Sequence, residues 1–327
     1  MPTYDQAVIE GFAHVFTGWN FAGFADFEIA RPTPFNRTEP MQLYPDFHDT
    51  GEKLLLNGVV LPAGQSGDED LADALDNIFN HPNVGPFISM RLIQRLVTSN
   101  PSPGYVARVA AVFANNGSGV RGDLAAVVKA ILMDPEARPD MPMEIDGKLK
   151  EPLLRLTQLW RAYNARSASG RMQLFNGLPA YIILGQGPLQ APSVFSFFSP
   201  FYAPPGEIQD SSLVAPEFGI ATEYGNTLVT NYFFFQAFAG NSESAADPGF
   251  GEDNVYIDIS EEIAVADDHD ALIDLVAQKL LGGDISATLR SEISGMLALI
   301  PNPDQATLRV AETIYFVATS PEYAYQR

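Results

Sequence analysis

The chain has 327 residues, with 40 acidic against 19 basic side chains for a net charge of −21, and no cysteine. Its hydrophobic content of 46%, including 22 Phe, supports a packed interior and excludes a disordered chain. The charge excludes binding to nucleic acid or to anionic membrane surfaces, since like signs repel, and the missing cysteines exclude disulfides, thiol catalysis and zinc–thiolate sites.

The N-terminus, Met1-Pro2-Thr3-Tyr4-Asp5-Gln6, has neither a basic n-region nor an apolar h-region, so it does not read as a signal peptide. No window reaches the roughly 18 apolar residues of a membrane helix, and membrane insertion is not expected. Ile9, Phe12, Ala13 and Phe16 recur at helical spacing, which predicts a helix over 4–17 with His14 packed beside its core face. Residues 20–47, rich in Pro, Phe and Asn, read as an irregular ordered segment. Two short apolar runs then flank Asn57-Gly58 within 53–61, and both turn residues tolerate positive φ, which predicts a β-hairpin.

A run of helices follows over 68–138, the second at about 84–98, the third after Pro103 with Val106, Val109, Ala110 and Phe113, and the fourth at about 121–133, with another at about 149–165; short Pro- and Gly-containing turns join them as in an antiparallel bundle. Asp68 or Asp70 is expected to cap the first of these, with Leu71, Leu75, Ile78 and Phe79 facing the core. The second is expected to bury Phe87, Ile88, Leu92, Ile93 and Leu96 and to expose Arg91 and Arg95. Residues 184–218 hold Phe195, Phe197, Phe198, Phe201 and Tyr202 among many Pro and Gly, and read as a long structured loop. Helical spacing returns at 219–239, 268–282, 286–299 and 303–319, around an acidic excursion at 241–267 with one short strand at 255–257. Between Met172 and Gln278 there are fifteen Asp and Glu and no Lys or Arg. The predicted fold class is mainly α: a helical bundle-like globular domain with a small β-hairpin insertion and long Pro/aromatic-rich ordered loops. It is read as one domain over 1–327, with subregions 1–67, 68–166, 167–267 and 268–327.

Several groups of residues could carry chemistry. His48-Asp49-Thr50-Gly51-Glu52-Lys53 offers a base, carboxylates and a cation on one turn, or else a turn whose polar groups bond backbone on the way into the hairpin. His81, at a helix junction, could join His48 as a metal pair or cap a carbonyl. Arg91, Arg95 and Arg108 could clamp an anion or form internal ion pairs. Asp253, Asp258, Glu261 and Glu262 are the best metal candidates, since calcium takes about six to eight oxygens, although an acidic solvated face is the default reading of them and no EF-hand spacing is present. The aromatic runs could stack against sugar rings, and a glycosidase would draw its carboxylate pair from Asp49, Glu52, Glu217 and Glu223. There is no Gly-x-Ser-x-Gly elbow, His-Glu-x-x-His, P-loop or dinucleotide fingerprint.

Read together, Phe16-Thr17-Gly18-Trp19, His48-Asp49-Thr50-Gly51-Glu52-Lys53, His81-Pro82, Asp134-Pro135-Glu136-Ala137-Arg138, Lys148-Leu149-Lys150-Glu151-Pro152, Ala215-Pro216-Glu217-Phe218 and Ser320-Pro321-Glu322-Tyr323 stand in an order that resembles the bacterial DUF1800 family. The resemblance spans residues 4–327 and corresponds to the C-terminal two-thirds or so of the family's usual length. It implies an exported, periplasmic or extracellular setting and a DUF1501-like partner protein related to sulfatases. It supplies no established catalytic residues. The first expectation is therefore a cell-surface accessory or interaction protein, in which Trp19, Lys53, His81, Arg91 and Arg95 would contact a ligand. The second is a hydrolase of an extracellular polysaccharide using His48, Asp49 and Glu52, and the third a calcium-dependent binding module.

Overall fold

The computed structural model describes residues 4–34, 36–140, 146–174, 180–247, 249–301 and 303–326. The protein is mainly helical, with only two-residue strands in three separate antiparallel pairs among the described residues. The chain divides into two compact units, Met1–Ser89 with Ala107–Val127, and Met90–Val106 with Val128–Arg327. No helix among the described residues is long and apolar enough to cross a membrane.

In the first unit, α1 (Gln6–Val15) starts at Asp5, whose carboxylate accepts the Val8 amide at 3.1 Å. It buries Val8, Gly11 and Val15. Gly11 is required by packing: a Cβ there would stand 2.0 Å from the Leu54 carbonyl oxygen of β3 (Lys53–Leu54). His14 is not packed, contrary to the helical-wheel expectation, because the stripe that meets β3 runs through Gly11 and Val15 and leaves His14 half in water. β1 (Trp19–Asn20) pairs with β2 (Gln42–Leu43).

The predicted hairpin is present, β3 pairing with β4 (Val60–Leu61), and Asn57 and Gly58 take φ of 59° and 72°. Its loop is five residues long because Leu54 pairs with Val60, and Asn77 of α2 (Gly67–Phe79) bonds both the N–H and the carbonyl of Leu56 at 3.1 Å. Val15, Leu55, Leu61 and Ala74 form the small core.

Two expectations for these helices fail. Ser66, not Asp68 or Asp70, caps α2, in a reciprocal capping box with Glu69. The buried stripe of α2 is Gly67, Asp70 and Ala74, whereas Leu75, Ile78 and Phe79 are 38–53% exposed. Small residues let α2 approach closely (a Cβ on Gly67 would reach Leu43 at 2.6 Å), and Asp70 turns inward to meet two basic groups. Apolar spacing alone points to the wrong side. In α3 (Val84–Leu96), Ile93 is buried as expected but Phe87 and Leu96 are exposed, and Ser89 and Gln94 are buried instead.

The second unit holds the main core. Its centre is α13 (Ala306–Thr319), which buries Val310, Ala311, Ile314, Val317 and Ala318 and packs on α9 (Glu223–Phe238) and α11 (His269–Leu281). Leu156 and Leu159 of α6 (Pro152–Ala162), Phe233 of α9, Ile273 and Val276 of α11, Ile293 of α12 (Ala287–Leu297) and Tyr323 of α14 (Pro321–Ala324) complete it. Caps match the sequence at Thr222, Asp268 and Ser286, and Gly282 ends α11 in the left-handed conformation. Strand β5 (Lys148–Leu149) pairs with β6 (Tyr325–Gln326), tying the chain end to the start of α6. The segment expected as a strand at 255–257 makes only isolated bridges, to Arg166 and Asn241.

Candidate functional site

The polar turn of the first unit is built from the loop between β2 and β3. Gly18, at φ +81°, brings Thr17 against His48, and a Cβ at Gly18 would lie 3.0 Å from the His48 and Tyr44 backbones. The Thr17 hydroxyl donates to the His14 carbonyl at 2.6 Å and accepts the Asp49 N–H at 2.8 Å. The His48 Nδ1 faces the Thr17 carbonyl at 3.1 Å, and its Nε2 stands 3.1 Å from Asp70 Oδ2. The Lys53 Nζ reaches the same carboxylate oxygen at 2.7 Å and donates to the carbonyls of Asp49 at 2.5 Å and Gly51 at 2.9 Å.

The three side chains are 2% exposed or less. Lys53 thus commits all three of its protons, and both imidazole nitrogens are occupied. The arrangement is a buried polar network that fastens the turn to α2, in which Asp70 Oδ2 is shared and Asp70 Oδ1 has no hydrogen-bond partner. Asp49 stays at the surface, its carboxyl held below the usual carboxylate range chiefly by the Gly51 N–H at 2.7 Å, with His14 and Lys53 adding to this and burial opposing it. Glu52 is exposed, and nothing places it against His48.

His81 does not join His48; its Nδ1 accepts the Asn83 N–H at 3.2 Å, so it caps an amide and not a carbonyl. Trp19 is half-buried with its indole N–H enclosed. In the second unit, Arg95 bonds Glu151 at 2.8 Å and stacks 4.3 Å from the Phe198 ring, while Arg91 stacks 4.6 Å from Phe201. The two guanidinium groups therefore seat the aromatic loop, as cations over ring faces.

Glu217 is fully buried against the Lys148 ammonium at 2.8 Å, and Lys148 also donates to the Gln94 and Arg95 carbonyls at 3.1 and 3.0 Å. Glu223 is exposed in the first turn of α9, so these two carboxyls have different surroundings and no shared cleft joins them.

The four proposed calcium ligands do not converge. Asp253 pairs with Arg171 at 3.3 Å, Asp258 with Arg166 at 3.3 Å, and Glu261 and Glu262 with Lys279 at 2.7 and 2.6 Å. Burial raises the Glu262 carboxyl against the opposing pull of Lys279, and raises the neighbouring Tyr163 phenol well above its ordinary value. Among the described residues no group of three or more His, Asp or Glu could hold a metal ion.

Two further features stand out, the first around Phe195–Tyr202, where the sequence leads one to expect an exposed apolar patch if this is an interaction protein, and the second with almost no trace in the sequence. The first is an apolar crest on the loop 187–202. Leu189, Val194, Phe195 and Phe201 are 106%, 95%, 77% and 66% exposed, above a buried Phe198. Leu189 and Ser196 hold positive φ, the Gln94 amide donates to the Pro200 carbonyl at 3.4 Å, and the Ala215 N–H donates to the Tyr202 carbonyl at 2.8 Å. Aromatic content marked this loop, but not which rings face outward.

The second is an open cleft of about 1330 Å³ lined by Lys150, Gln158, Phe218, Lys279, Ser286 and Tyr325 among others. A second lysine two residues after Lys148, in a basic-poor chain, was its only trace in the sequence.

A mainly helical protein with buried internal ion pairs and an exposed aromatic loop is the class these features define. The chain belongs to the DUF1800 family, described as a protein of unknown function, whose model matches residues 2–325. No curated protein and no solved structure matches it.

Proposed function

We propose that the protein is a non-catalytic accessory protein that docks a partner protein through the apolar crest of the loop 187–202. The observation that carries this reading is the outward display of Leu189, Val194, Phe195 and Phe201 on a loop anchored from beneath by Phe198, Arg91 and Arg95. Exposed apolar area of this kind is costly in water, and anchoring lowers the ordering cost of a bound state. The crest lies in the stretch 172–278, which has fifteen acidic residues and no Lys or Arg. The fitting occupant is a protein with an apolar groove rimmed by Lys and Arg, met at the cell surface or outside it; the DUF1501-like protein implied by the resemblance is the first candidate. An anionic bilayer would be repelled.

The hydrolase reading is less favoured, because His48 and Lys53 are buried and engaged by Asp70 and by backbone carbonyls. The test is calorimetric titration of the purified partner with wild type and with Leu189→Ser/Phe195→Ser, which leaves the Arg91–Phe201 stack in place. The wild type should bind, and the double variant should bind at least about tenfold more weakly, at unchanged melting temperature, as for loss of two hot-spot side chains. No binding by the wild type, or equal binding by both, would overturn the proposal.

A further inference from the structure

Several cations of the second unit are paired with acids: Lys148 has Glu217, Arg95 has Glu151, Lys279 has Glu261 and Glu262, and Arg309 has Asp267. Lys150 and Arg155 are withdrawn from solvent without such a pair. The Lys150 ammonium donates to the Gln158 side-chain oxygen at 2.9 Å and lies 4.4 Å from the Tyr323 ring, and among the described residues no carboxylate meets it. Arg155 is buried, donates to the Ala318 carbonyl at 3.3 Å, faces the Phe233 ring at 5.2 Å, and keeps its Nε–H without an acceptor. In a protein with 40 acids to 19 bases, two neighbouring cations without an acid form an uncompensated positive spot.

Lys150 also lines the open cleft, whose walls include Leu149, Ile208, Phe218 and Leu281. The other charged groups of that cleft are Lys279, Glu322 and Asp284. Lys279 is neutralised by its two glutamates, and Glu322 is taken up by the Ser286 N–H at 3.1 Å and by its hydroxyl.

We propose that this cleft binds a small organic carboxylate with an apolar body, its carboxylate seated on the Lys150 ammonium beside Gln158 and its body against the apolar wall. A phosphate dianion fits less well. It favours an Arg fork or a row of backbone N–H groups, and the Arg155 guanidinium is buried against Ala318 and Phe233. Burial, and then the Arg155 charge, bring the Lys150 amine down to about 8. The anion binds the ammonium form, so affinity is fully present below that value. It then falls by up to about tenfold per pH unit above it.

The experiment is calorimetric titration of the full chain with decanoate, with decanol and inorganic phosphate as comparisons. Decanoate should bind more tightly than either, and its affinity should drop by about 10- to 30-fold from pH 7 to 9.5. Lys150→Met should weaken decanoate at least tenfold while leaving the melting temperature at pH 7 equal or higher, since it removes a charge that burial penalises. Lys150→Arg should keep the affinity within about threefold and abolish the pH dependence, because guanidinium stays protonated. The proposal is overturned if decanoate does not bind, if decanol or phosphate binds as tightly, if Lys150→Met binds as wild type, or if Lys150→Met lowers the melting temperature.

Discussion

Asp70 shows how far a residue's surroundings set its role. On a helical wheel it is one of several acids on α2; in the fold it is fully buried and its carboxylate is the shared partner of the His48 imidazole and the Lys53 ammonium. Removing that charge leaves the enclosed Lys53 ammonium with two backbone carbonyls and the partly exposed Asp49 carboxylate at 3.8 Å. Asp70→Asn should therefore cost about 3–5 kcal/mol in urea unfolding, the range for breaking a buried pair from one side. Asp49→Asn, at a carboxylate 38% exposed, should move the unfolding midpoint far less. Equal effects would mean that the buried network is not what holds the turn. His48 and Lys53 were legible as candidates because they stand in one polar phrase, but Asp70 was not. Its neighbours along the chain are acidic, and only the approach of the turn from 22 residues away distinguishes it.

At the scale of elements, α1 and the hairpin depend on one close approach. Gly11→Ala would drive a methyl group into the Leu54 carbonyl and must push α1 off β3. Overpacking costs of about 1–3 kcal/mol are common, and a backbone clash belongs at or above the top of that range. Chemical denaturation of the variant measures it, and a loss below about 1 kcal/mol would contradict the packing described. Helices α9, α11 and α12 were legible because their apolar residues and N-caps agree with each other, and α13 from its apolar spacing alone. The inward face of α2 was not, since its docking stripe of Gly67, Asp70 and Ala74 is small and polar. Periodicity assumes that the greasiest face is the buried one.

For the whole molecule, a net charge of −21 makes self-repulsion a standing cost. Raising NaCl from low salt to about 0.5 M should screen it and raise the melting temperature by a few degrees. CaCl₂ at matched ionic strength should do no more, because Asp253, Asp258, Glu261 and Glu262 each face a Lys or Arg and do not converge. A further rise with calcium, reversed by chelator, would point instead to a converging oxygen site.

The sequence by itself determined the mainly helical class, the Asn57-Gly58 turn, most helix limits and the family, since these rest on local propensity, capping and the order of short phrases. Tertiary structure alone decided that His48 and Lys53 meet Asp70, that Glu217 meets Lys148, and that among the described residues Lys150 and Arg155 are left with no acid. A charge is compensated or not only by what the fold brings within a few ångströms, and no spacing along the chain records that distance.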